Sequence, residues 1–72
     1  MKLSFGISVA DFLSLRDSLF VDYTCSSVTD NGFTLLFPAG DCVFTYFMGT
    51  LFVDFPSGEL LTVAHFLKPF IV

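Results

Sequence analysis

Cys42-Val43-Phe44-Thr45-Tyr46-Phe47-Met48-Gly49-Thr50-Leu51-Phe52-Val53 is the longest nearly unbroken apolar run of the chain, with Asp41 and Asp54 as its fences. It is too short for a membrane-spanning helix, which needs roughly 20 apolar residues. Extending it leftward meets Asp41, Gly40 and Pro38. Read with a period of two, Cys42, Phe44, Tyr46 and Met48 share one face of a strand, and Val43 and Phe47 share the other. Gly49 permits a bulge or bend. Thr50 to Phe55 then sets Leu51, Val53 and Phe55 against Phe52. Both strands are apolar on both faces, so each face needs a cover.

Working outward, Pro38-Ala39-Gly40-Asp41 and Pro56-Ser57-Gly58 are turn signals on either side. Phe33 to Phe37 is the preceding strand. Before it, Thr29-Asp30-Asn31-Gly32 reads as a tight hairpin turn, since Asn and Gly tolerate positive φ. Val21, Tyr23 and Cys25 alternate with Asp22, Thr24 and Ser26, which predicts a strand there. At the N-terminus, Leu3, Phe5 and Ile7 alternate with Lys2, Ser4 and Gly6 in the pattern of a half-buried strand.

Between these two strands the period changes. Val9, Phe12, Leu13, Leu15, Leu19 and Phe20 share one arc at 100° per residue, while Asp11, Ser14, Asp17 and Ser18 fall opposite. Ser8 and Asp11 have capping-box spacing. A helix over about 9–19 is expected. Arg16 lies inside the apolar arc, either aimed at an acidic partner or laid along the apolar surface with its head in water.

The segment Glu59 to Leu67 has two readings. As a strand, Leu61, Val63, His65 and Leu67 alternate with Leu60, Thr62, Ala64 and Phe66. As a helix, Ser57 is the N-cap and Leu60, Val63, Ala64 and Leu67 fall at helical spacing. The turn signal between two β-rich runs favours the strand. The fold expected is a single α+β domain over 1–72: an antiparallel or mixed sheet of four to five strands with one amphipathic helix on one face.

Composition says what kind of surface such a domain presents. Of 72 residues, 54% are apolar and 18% aromatic, with 11 Phe, and only 14% are charged. An average domain has about 25% charged residues, and a chain this short buries only about 60% of its unfolded surface. Apolar side chain is in excess of what the interior holds. The helix covers one sheet face, so the other exposes either Phe47 and Phe52 or Phe44 and Tyr46. Phe44, Tyr46, Phe47, Phe52 and Arg16 are the candidate partner-binding residues.

The same composition gives no sign of chemistry. The net charge is −4, with three Lys and Arg in total, which opposes direct nucleic-acid binding. The acids are too scattered to imitate a phosphate backbone. No Cys-x-x-Cys, glycine-rich phosphate loop or Gly-x-Ser-x-Gly occurs. Cys25 and Cys42 are expected to be reduced, buried small hydrophobes. The one histidine, His65, has apolar neighbours and is expected to be structural. No cofactor, metal ligand or catalytic residue is assigned, and the chain is expected to be non-catalytic. No export signal or spanning segment is legible, so a cytoplasmic protein that stays where it is made is expected.

Three roles fit. The first is a protein-binding module acting by surface occupation, as an inhibitor, adaptor or small accessory subunit of the kind frequent in phages and mobile elements. The second is a self-assembling homo-oligomer. The third is a small membrane-associated protein with the 42–53 run in lipid. No family signature is legible in these residues.

Overall fold

In the computed structural model, which describes residues 1–70, the chain runs β1 (Lys2–Gly6), α1 (Val9–Asp22), β2 (Cys25–Thr29), β3 (Gly32–Phe37), β4 (Gly40–Phe47), β5 (Thr50–Asp54) and, after a 3-10 turn at Ser57–Glu59, α2 (Leu60–Leu67). The five strands form one sheet in the order β1-β5-β4-β3-β2, and every pairing is antiparallel. The expected α+β domain is present, with its sheet wholly antiparallel and with two helices in place of one.

β4 is the central strand and β5 an interior one, so both have their edges paired. Three hairpins join β2 through β5. Met48-Gly49 closes the β4–β5 hairpin with both residues at positive φ, 50° and 79°, the conformation whose twist matches the flanking strands. Asp30-Asn31 closes β2–β3, and neither residue has positive φ there. The left-handed turn expected at Asn31-Gly32 is therefore found at Met48-Gly49. Gly32 is needed for a different reason. It pairs with Thr45, and a Cβ on it would lie 2.6 Å from the carbonyl oxygen of Phe44.

Helix α1 begins as the sequence predicts, with the Ser8 hydroxyl accepting from the Asp11 N–H at 3.1 Å. It runs three residues past the expected end at Leu19, so Val21 and Asp22 are helical and the expected strand start at Val21 is wrong. The helix stops at Tyr23, whose ring packs 5.3 Å from Phe37 and 4.9 Å from Phe66. That tertiary contact draws the backbone into an extended conformation without a glycine. Only then does β2 start, at Cys25.

The preferred strand over 59–67 is also corrected. β5 already has β1 on one side and β4 on the other, so the segment that follows it finds no free edge to pair with. It folds back as α2, burying Val63, Phe66 and Leu67. Ser57 does not cap α2, whose N-cap is Glu59; it opens the intervening 3-10 turn.

One core results. Phe12, Leu15 and Leu19 of α1 and Val63, Phe66 and Leu67 of α2 are buried against Phe33, Leu35, Cys42, Phe44, Leu51 and Val53 of the sheet. Phe12 stacks on Tyr46 with centroids 4.9 Å apart, and Phe33 stacks on Phe44 at 4.6 Å. Val9 and Leu13, placed on the apolar arc by periodicity, are exposed. The arc was drawn wider than the sheet surface that receives it.

Candidate functional site: a helix-free sheet face

Both helices pack on the same side of the sheet. The alternation of each strand therefore sends one set of side chains into the core and the other into solvent. On β4 the outward set is Asp41, Val43, Thr45 and Phe47, and on β5 it includes Phe52 and Asp54. Register brings these together in rows. Ser4, Phe52, Thr45 and Gly32 lie side by side across β1, β5, β4 and β3, and next to them run Lys2, Asp54, Val43 and Thr34. Phe47 lies opposite Thr50 at the hairpin end.

On this face Phe47, at the β4–β5 hairpin end, is 59% exposed and its diagonal neighbour Phe52 45%, with Val43 farther along β4 and Leu36 at the opposite end similarly open. Ser4, Ser27, Thr34, Thr45 and Thr50 are interspersed among them, Thr45 directly opposite Phe52. Its charges are Lys2, Asp41 and Asp54. Shallow grooves mark the surface: one of about 290 Å³ passes between Lys2, Val43, Phe52 and Asp54, and another of about 150 Å³ lies over Gly32, between Ser27, Thr34 and Thr45. The missing side chain of Gly32 leaves that second groove open.

Of the candidate partner-binding residues, Phe47 and Phe52 share this face. Phe44 is fully buried in the chain's own core, and its position there corrects its assignment to a docking surface. Tyr46 is half-buried on the core side, where its hydroxyl donates to the Ile7 carbonyl oxygen at 3.0 Å. Arg16 lies across the molecule on α1. Its guanidinium bonds Asp17, its sequence neighbour, at 3.1 Å and sits 5.8 Å from the centre of the Phe20 ring. It serves the helix surface and meets no buried carboxylate. Sequence reading set Val43 on the face of Phe47 but did not place Leu36 on it; the β3–β4 register, which pairs Leu36 with Asp41, was the missing information.

Elsewhere the side chains gather no reactive constellation. Among the described residues no three His, Cys, Asp or Glu come together. His65, expected in an apolar setting, is exposed on α2 beside a groove of about 230 Å³ between the helices. Cys25 and Cys42 are both free, the first half-buried and the second buried. They flank Leu35 on successive strands, which puts about 9–10 Å between them at the usual strand spacing, beyond the reach of a disulfide. Burial, then Glu59, then Asp54 push the Cys42 thiol up to about 12.

No helix among the described residues is long and apolar enough to cross a membrane, and the 42–53 run forms a hairpin with one side in the core. The fold and this face define the chain as a small α+β domain with an unpartnered sheet surface. No family model, curated protein or solved structure matches it.

Proposed function

We propose that this chain is a non-catalytic protein-binding module whose helix-free sheet face occupies a protein surface, in the manner of an inhibitor, adaptor or small accessory subunit. The observation that carries this reading is the exposure of Phe47 and Phe52, diagonal neighbours on a sheet face that the helices leave uncovered and that is otherwise rich in serine and threonine. Exposed aromatic side chains on a surface poor in charge are a compositional mark of protein interfaces. Side chains of this size release roughly 1.5–3 kcal/mol each when fully covered, and somewhat less here because each is already partly shielded. The low local charge suits a protein partner and gives nucleic acid nothing to bind.

Site-specific photo-crosslinking in living cells tests it. A photoreactive phenylalanine analogue at position 47 or 52 is expected to give discrete protein adducts, while the same group at Ser14, on the solvent side of α1, gives none. Adducts from position 14 alone, or none from 47 and 52, would overturn the reading.

A further inference from the structure

We infer that the occupant of the helix-free face is a second copy of this chain, giving a two-sheet sandwich with both helical layers outside. This rests on the protein-docking reading above and names the partner of that same face.

Shape argues for it first. A five-stranded antiparallel sheet has a right-handed twist, and a twisted sheet face packs well on another of the same twist, at about −30° and about 10 Å separation. The second copy supplies such a face, matched in width and length. At about 4.8 Å between strands and 3.3 Å per residue, the face measures about 20 Å each way. Stacking two buries about 1,000 Å² in total, the size of a weak, reversible interface.

Charge argues for it next. Of the seven acids, Asp11, Asp17 and Asp22 are on α1, Asp30 is in the β2–β3 turn, and Glu59 is in the 3-10 turn. Only Asp41 and Asp54 share the sheet face with Lys2. Two chains of net charge −4 therefore meet through their least charged sides. The helical layers, which carry Asp11, Asp17 and Asp22, stay separated by more than the Debye length of about 8–10 Å. Among the described residues Lys2 is the one cation on this face, set in the row of Asp54. A strongly basic partner would find few counter-charges on this face and more on α1.

The test is sedimentation equilibrium of the full chain from about 1 to 500 μM, where an interface of this size dissociates. A monomer–dimer equilibrium in the micromolar range is expected. The variant Phe47→Asp/Phe52→Asp is expected to weaken it at least 100-fold while near-ultraviolet circular dichroism stays unchanged, because neither ring belongs to the core. If that variant does not fold, Phe47→Thr/Phe52→Thr retains β-propensity and is expected to weaken the dimer at least 10-fold. A strict monomer across the range overturns the second copy as occupant, and leaves the docking reading to stand or fall on the identity of the crosslinked adducts. A dimer that neither variant weakens overturns this face as the interface altogether.

Discussion

Replacing Phe12 by alanine tests the assignment of the core to one side of the sheet. The ring is 2% exposed, stacked at 4.9 Å on Tyr46 and tilted at 5.9 Å from Phe33. Phe-to-Ala changes in cores cost about 3–5 kcal/mol, and two lost aromatic contacts, worth about 0.5–1.5 kcal/mol each beyond their area, place this site at the upper end. Domain stability runs at roughly 0.05–0.15 kcal/mol per residue, which for 72 residues is about 4–11 kcal/mol. Phe12→Ala should therefore remove about half of the stability or more, and Phe12→Asp should leave no folded population. Val9→Ala, on the same sequence arc but 57% exposed, should cost less than about 0.5 kcal/mol. Urea denaturation followed by circular dichroism measures both, as shifts in midpoint at constant slope. A Phe12→Ala cost below about 1 kcal/mol, or a Val9→Ala cost equal to it, would refute the packing described here.

Met48→Asn should stabilise the chain by about 0.5–1 kcal/mol, because asparagine tolerates the left-handed conformation that Met48 holds at φ 50°; thermal melting should rise by several degrees. Gly32→Ala should destabilise by more than about 2 kcal/mol, since its methyl group meets the Phe44 carbonyl oxygen at 2.6 Å and backbone there cannot yield cheaply. With the Cys42 thiol pushed up to about 12 from 9.0, the unfolded chain loses that proton first. Stability should therefore be insensitive to this group below about pH 9 and fall as pH rises from 9 towards 12, by up to about 1.4 kcal/mol per unit; Cys42→Val should flatten that slope. In mass-spectrometric labelling at neutral pH, Cys25 should react well before Cys42, and equal rates would contradict the burial of Cys42.

β1, β3, β4, β5 and the start of the first helix were legible because their cues are local. Leu3-Ser4-Phe5-Gly6-Ile7 alternates, Ser8 caps, and Phe33 to Phe55 is punctuated by turn residues at each hairpin. What was not legible depends on partners distant in sequence. Whether 59–67 pairs or coils turned on which strand borders β5, and β1, from the opposite end of the chain, fills that place. The end of α1 turned on the aromatic slot that Phe37 and Phe66 offer to Tyr23. The two-faced apolar character of β4 and β5 was readable as an excess. Which face stays open required the side chosen by both helices, and that choice assigned Phe44 to the core and Phe47 and Phe52 to the surface. Arg16 and His65 stood out in sequence as unusual residues in apolar company, yet each reaches the solvent side of its own helix.

Hydroxyl-radical footprinting of the chain inside the cell, set against the dilute purified chain, most directly tests whether the helix-free face is where this protein meets its partner. In the dilute chain Phe47 and Phe52 should be oxidised readily and Phe12, Phe33 and Phe44 scarcely at all. Inside the cell Phe47 and Phe52 should be protected, while Leu61 on α2 stays as reactive as before. Equal reactivity of Phe47 and Phe52 in both settings would contradict the account.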